Sequence, residues 1–271
     1  MSRRRDFNGK VVVITGAGGG IGAAYGRRFA RAGAKLGLLD IDAERLRGVA
    51  DELEGQAVEC LPVACDVSDE AACRDAIAAV IQRFGSVEVL INNAGITHRS
   101  AFADTDPMVF RKVMGVNFFG SLYCTKAALP SLIERRGLII VISSIAGIAP
   151  LYGRTGYAAS KHALHGLFAS LRTELSVAGV DVMIVCPSFT ATGIGTAALD
   201  GDGSVTRHPQ STVGKVATPE SVAEAVFDAA RRGKRMVVLS AAGKATLVLN
   251  KLWPALYERI MMRSLRSELQ R

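Results

Sequence analysis

Short apolar runs rich in β-branched residues recur along the chain, each followed by a turn and then by apolar positions at helical spacing. Val11-Val-Val-Ile14 is the first such run and reads as a strand buried on both faces. The runs Leu36 to Leu39, Ala57 to Ala64, Val87 to Ile91, Leu138 to Ile142, Val180 to Cys186 and Met236 to Leu239 read the same way. Helical spacing fills the gaps. One helix ends near Ala32 with Gly33 as its stop, and another covers 69–84. A long one starts at Asp106-Pro107, with proline in its first turn, and reaches about Arg136. A further helix carries Tyr157 and Lys161 to about Ala178, and one over 219–232 is opened by Thr218-Pro219. Seven strands alternating with helices predict an α/β fold, a doubly wound parallel sheet covered on both faces. No composition break or linker divides residues 1–240, so they read as one domain, with 241–271 as a C-terminal amphipathic helical extension.

In that extension Leu247, Val248, Leu249, Leu252, Trp253, Leu256, Tyr257, Ile260 and Met261 repeat at helical spacing, interrupted at Pro254 and flanked by basic residues. Two placements are open. The stripe packs on its own domain or on a partner subunit and roofs a pocket, or it lies on a membrane surface. Residues 193–217 are rich in Gly, Ser, Thr and Asp and read as a mobile loop, the kind of segment from which lids are drawn.

The first strand runs directly into Thr15-Gly-Ala-Gly-Gly-Gly-Ile-Gly22. Strand, glycine turn, helix, strand and a closing acid, Asp40, follow in the order of a Rossmann-type dinucleotide-binding unit. Gly16, Gly18, Gly19, Gly20, Ile21 and Gly22 are the candidate pyrophosphate cradle, because glycines let backbone amides approach and the helix N-terminus adds its dipole. Asp40 is placed to accept hydrogen bonds from the adenosine ribose hydroxyls of NAD and to repel the 2′-phosphate of NADP. Ala17 and the loop glycines are neutral. Arg45 is the nearest base, a turn into the next helix, where Asp42 and Glu44 compete for it. The expected cofactor is NAD.

Tyr157 and Lys161 are four residues apart on a predicted helix and share one face. A free tyrosine titrates near pH ~10, and an ammonium group beneath it favours the anion. The pair therefore reads as a general acid/base usable near neutral pH.

Composition narrows the classes. The chain has 271 residues, 49% hydrophobic, with net charge +8. The basic balance fits a solvated surface that binds anionic cofactors. A nucleic-acid interface needs aromatic residues interleaved with the basic ones, and 6% aromatic content argues against one. Five cysteines lie scattered without paired spacing or histidine neighbours, as in a reduced, cytoplasmic protein with no metal site. Asp6, Asn8 and Lys10 interrupt any apolar core near the start, so no signal peptide is expected.

Taken in order, Thr15-x-x-x-x-Gly20-Ile21-Gly22, Asn92-Asn-Ala-Gly95, Asn117, Ser144 and Tyr157-x-x-x-Lys161 resemble the single-domain short-chain dehydrogenase/reductase family over nearly the whole chain. The resemblance implies a nicotinamide cofactor and the interconversion of an alcohol and a carbonyl compound. It implies that Tyr157 is the acid/base and that Lys161 lowers its pKa and holds the nicotinamide ribose. It makes Ser144, thirteen residues before Tyr157, the serine that binds the substrate oxygen. Asn117 becomes the asparagine that kinks its helix and relays protons to the lysine. Asp66 and Val67 correspond to the adenine contacts, and Asn93, Ala94 and Gly95 to the turn beside the adenine-side ribose. Pro187, Phe189, Thr190 and Thr192 correspond to the segment along the nicotinamide. The family usually has Pro-Gly where this chain has Pro187-Ser188, which puts the local backbone path in doubt.

His98, Arg99, Tyr152 and Arg154 are candidates for the pocket mouth. The reading is an NAD-dependent oxidoreductase interconverting a secondary alcohol and a ketone, or an alcohol and an aldehyde. The apolar tail points to an apolar substrate such as a steroid, lipid or retinoid-like alcohol. The alternative is a non-catalytic nucleotide-binding sensor or scaffold on the same fold. The resemblance also implies a homodimer or homotetramer, formed by helices 107–136 and 155–178. The apolar set Ala163, Leu164, Leu167, Phe168 and Leu171 exceeds what one face against the sheet needs.

Overall fold

A computed structural model describes residues 4–208, 210–212 and 216–269. Arg3 of the basic start and four positions of the 193–217 loop lie outside them. The strands are β1 (Val11–Thr15), β2 (Lys35–Asp40), β3 (Cys60–Ala64), β4 (Val89–Asn92), β5 (Leu138–Ile142), β6 (Asp181–Cys186) and β7 (Met236–Val238). They form one parallel sheet in the order β3-β2-β1-β4-β5-β6-β7. The order reverses between β1 and β4, and a crevice opens at the carboxyl ends of strands at such a switch point. Gly16, Asp40, Asn93, Ser144 and Pro187 all follow or end strands on that edge.

Period two divides the sheet between two cores. Val12 and Ile14 of β1 join Phe7, Phe29 and Phe227 on one face, under α1 (Gly20–Ala30), α2 (Ala43–Glu54) and α7 (Pro219–Arg231). Val11 and Val13 join Ile77, Leu132 and Phe168 on the other, under α3 (Glu70–Phe84), α5 (Gly120–Glu134) and α6 (Thr155–Leu175). Helix starts follow side-chain chemistry. Asp42, Asp69 and Thr218 each accept a first-turn N–H at the head of α2, α3 and α7.

Three features differ from the expectation in ways that bear on the site. Strand β3 starts at Cys60, not Ala57, because Ala57 takes a left-handed φ of 60° and closes a turn onto Glu54. The long helix divides into α4 (Pro107–Met114), a π-helical turn over Gly115–Phe119, and α5. The 193–217 loop is less free than its composition implies. Leu199 exchanges backbone hydrogen bonds with Thr97 and Arg99, at 2.9 and 2.8 Å.

The tail forms α8 (Ala241–Leu252) and α9 (Pro254–Leu265), with Pro254 in the first turn of α9. Its stripe faces two ways. Leu249, Tyr257, Met261 and Leu265 line the cavity, while Val248, Leu252, Trp253 and Leu256 are exposed. Among the described residues no helix is long and apolar enough to cross a membrane, and no group of side chains could hold a metal. All five cysteines are free.

Candidate active site

A cavity of about 1050 Å³ occupies the carboxyl edge of the sheet. At one end lies the glycine loop. Gly16 takes φ +67°, and a Cβ there would sit 2.9 Å from Ala94 Cα. A Cβ on Gly22 would run into the Gly16 carbonyl, so helix and loop meet only without side chains. Helix α1 begins at Gly19 with no side-chain cap, and Gly18, Gly19, Gly20 and Ile21 line the cavity there. Uncapped N–H groups at a helix head, opening on a cavity, fit a dinucleotide pyrophosphate.

Asp40 accepts the N–H of Gly18 at 2.8 Å and of Asp42 at 3.0 Å. A carboxylate has about four acceptor sites, which leaves capacity for ribose hydroxyls. The cap of α2 is Asp42, not Asp40. Arg45 departs from expectation: among the described residues it pairs with neither Asp42 nor Glu44. Its Nη2 lies 3.0 Å from where a Gly19 Cβ would be, and it lines the same end of the cavity.

Asn93 is a structural tie. Its side chain donates to the carbonyls of Thr15 and Gly16, at 2.9 and 3.2 Å, while Thr15 Oγ1 accepts the N–H groups of Asn93 and Ala94. Asp66 accepts both the N–H and the hydroxyl of Ser68, and with Val67 it lines the nucleotide end. Pro187, Phe189, Thr190 and Thr192 line the wall opposite. Ser188 is not among the residues with positive φ, so the backbone there does not require glycine.

The four candidate catalytic residues converge. Lys161 is buried and its Nζ donates to the Ile142 carbonyl at 2.9 Å, 5.7 Å from the centre of the Tyr157 ring. Burial lowers its pKa to about 8. Ser144 lies two residues past β5, and its Oγ accepts the N–H of Ala146. Asn117 is wholly buried in the π-turn. Its Oδ1 accepts the Ile96 N–H, and its Nδ2 donates to the Ile96 carbonyl and to Ser160 Oγ. Both amide hydrogens are therefore committed, and Ser160 in turn donates to the Tyr157 carbonyl at 2.7 Å. The π-turn thus carries the side chain that ties Ile96 to α6.

Opposing influences meet at Tyr157. Burial pushes its phenol above the usual tyrosine value, and the Ser144 hydroxyl and the Arg154 guanidinium pull it back only in part. Lys161 Nζ lies 5.7 Å from the ring centre, and the Arg154 guanidinium is a second cation that favours the phenolate.

The mouth candidates separate. His98 is buried and does not line the cavity. Its Nε2 accepts the Gly156 N–H at 2.9 Å and its Nδ1 meets Ser100 Oγ at 3.1 Å. It satisfies the head of α6 instead of touching a ligand. Tyr152 also stays off the cavity wall. Arg99 and Arg154 form part of that wall, but as buried groups.

A family model described as short chain dehydrogenase matches residues 10–202. The chain belongs to this family. A zebrafish (Danio rerio) protein named dehydrogenase/reductase SDR family member 7B is 39% identical over 96% of this chain and 87% of its own. A bovine (Bos taurus) protein of the same name is 38% identical over 95% and 82%. Among solved structures, a short-chain dehydrogenase/reductase from Burkholderia phymatum in complex with NAD superposes with TM-score 0.84. It is 29% identical and covers 93% of this chain and 96% of that one. An alcohol dehydrogenase from Thermococcus sibiricus complexed with 5-hydroxy-NADP gives 0.74, at 28% identity over 85% and 95%. The family is thus represented with both nucleotides.

The matched residues 10–202 take in β1 to β6 and stop before β7 and the roof. The roof is what sequence reasoning placed least well. Tyr257, Met261 and Leu265 reach the cavity, and Glu268 is buried against Arg99 and Arg154. Glu268 is one of two acids in a basic tail, with Glu258, and nothing local marks it out.

Proposed function

We propose that the protein is an NAD-preferring oxidoreductase that interconverts a secondary alcohol and a ketone, or an alcohol and an aldehyde, on an apolar substrate. The observation that carries this reading is the meeting of Ser144, Tyr157 and Lys161 in one cavity whose far end is roofed by apolar side chains of α8 and α9. A pure nucleotide binder has no use for that trio.

A bound nicotinamide dinucleotide would supply the hydride acceptor or donor. The loop Gly16–Gly22 and the head of α1 would hold its pyrophosphate, Asp40 its adenosine ribose and Lys161 its nicotinamide ribose. In oxidation, Tyr157 Oη takes the hydroxyl proton of the substrate. Ser144 Oγ donates a hydrogen bond to the substrate oxygen as its charge changes. The Lys161 ammonium, shielded from water, favours the phenolate. Asn117 holds segment 93–96 against α6, so the wall facing Tyr157 keeps its shape. In reduction Tyr157 returns the proton.

Asp40 supports the preference for NAD, and Arg45 beside Gly19 works against it. The apolar substrate class rests on Ile194, Leu249, Tyr257, Ile260, Met261 and Leu265 around the substrate end. The test is a panel of steroid, lipid and retinoid-like alcohols and their carbonyl partners, followed by NADH absorbance, with Tyr157→Phe as control. Turnover lost in the control supports the assignment. Nucleotide binding without hydride transfer across the panel would make the protein a sensor on the same fold.

A further inference from the structure

Glu268 lies near the end of the chain, yet it is buried in the wall of the active site. Its Oε2 is 2.7 Å from Arg154 Nη2 and 3.9 Å from Arg99 Nε. The three side chains are 1%, 5% and 3% exposed. Its Oε1 accepts the Ser211 N–H. Arg99 donates to the carbonyls of His208 and Gly195, and Arg154 to that of Tyr152. One carboxylate therefore joins the last turn of the chain, the 193–212 segment and the start of α6.

The charges do not balance. Among the described residues two guanidinium groups face one carboxylate, and Arg99 Nε and Arg154 Nη2 lack a well-aligned hydrogen bond. A surplus buried cation is costly and its field is weakly screened. Arg154 sits at the head of α6, one turn before Tyr157, and both line the same cavity. The field therefore falls on the phenol.

We propose that Glu268 is a positioning residue for Tyr157, setting the proton affinity of the phenol from the end of the chain by neutralising part of the Arg99–Arg154 charge. This rests on the acid/base role given to Tyr157 above. The directions observed at the phenol agree, since Arg154 favours its anion.

Other groups around the phenol do not reverse the sign. His98, on the segment after β4, is pushed down to about 4 by burial and by Arg154 and stays neutral. Cys186, at the end of β6, is raised to about 12. Lys161, on α6, is lowered to about 8 and moves in the same sense as the phenol when the local charge changes. Tyr257, on α9, is raised by burial and remains a phenol. His208, on the 193–212 segment, has its ring 3.9 Å from Asp200.

The proposal separates from a plain mechanical clamp by direction. Glu268→Gln leaves Arg154 uncompensated, which favours the phenolate. Arg154→Gln removes the favourable cation, which disfavours it. A clamp alone predicts one direction for both, since each breaks the same ion pair and lets water reach the phenol. The measurement is the pH dependence of kcat/KM for alcohol oxidation. Expected is an acid shift of about one unit for Glu268→Gln and an alkaline shift of similar size for Arg154→Gln. Shifts in the same direction, or none, overturn the proposal. Arg154→Lys keeps the charge and should restore the wild-type profile. If Glu268→Gln does not fold, Glu268→Asp, which draws the carboxylate back from Arg154, should give a smaller acid shift, and an alkaline shift or none overturns the proposal. A fluorinated tyrosine placed at 157 and read by fluorine NMR reports the same ionisation without a substrate. A shift there with no turnover would fail the proposed reaction and leave the coupling standing.

Discussion

The carboxylate of Asp40 accepts the backbone N–H of Gly18 at 2.8 Å, so the end of β2 and the glycine loop hold one another in place. A Cβ on Gly18 would lie 3.0 Å from that carboxylate, which is why the position has none. Asp40→Ala should therefore remove the group that disfavours a 2′-phosphate and also loosen the loop. The ratio of kcat/KM for NAD over NADP, expected to be about tenfold or more in the wild type, should fall at least tenfold, roughly 1.4 kcal/mol. Arg45→Ala should move the ratio the other way. An unchanged ratio in Asp40→Ala would remove Asp40 from this role.

Tyr157→Phe keeps the ring and deletes the proton carrier. Turnover should drop by roughly 10² to 10⁴ while nucleotide affinity, read by protein fluorescence quenching, stays within about twofold. Lys161→Ala should reduce both, since one ammonium serves phenol and ribose.

His98 has a folded-state pKa of about 4, below its ordinary value of 6.5. Between those values the unfolded chain binds the extra proton, so stability is complete above pH 6.5 and is lost as the pH falls through that window. The contribution is roughly 3 kcal/mol. His165 is held down in the same way by burial. His98→Gln keeps an acceptor for Gly156 and cannot titrate. Urea melts at pH 7 and pH 4.5 should show its pH slope reduced by about half.

Asn117→Ala deletes three buried hydrogen bonds and leaves the Ile96 N–H and carbonyl unpaired. A loss of about 2–5 kcal/mol in urea melts is expected, together with a lower kcat, because Ser160 and Tyr157 lose their support. Full stability in the variant would show that the π-turn stands without it.

The assembly is expected to be a dimer or tetramer. Leu164 and Phe168 pack within the subunit, while Met108, Phe119 and Ile133 of the 107–136 segment are exposed, and we propose these as its apolar contribution to such a contact. Light scattering at micromolar concentration should give twice or four times 28.6 kDa, and a monomer would refute the expectation.

What could be read without coordinates was local. The β-branched runs, the helix-opening Asp and Thr residues and the glycine loop act over a few residues, so strand count, helix order and the switch-point architecture followed from them. The motif positions Ser144, Tyr157, Lys161 and Asn117 were legible because their spacing belongs to single elements. Errors at this level were small and had local causes, as at Ala57, where a left-handed turn delays β3.

Tertiary structure decided everything that depends on distance between elements. Tyr157 and Lys161 share a helix face, but only packing showed that burial raises the phenol and that Arg154 adds a second cation beside it. His98 looked like a mouth residue and became a buried support for α6, because Gly156 needed an acceptor. Arg45 looked claimed by its acidic neighbours and instead lies over Gly19. Glu268 met Arg99 and Arg154 only once the tail had folded back as a roof. Periodicity reports which side of an element is apolar. It carries no information on how far a charge lies from another element or how much water remains between them, and those two quantities set the chemistry of this cavity.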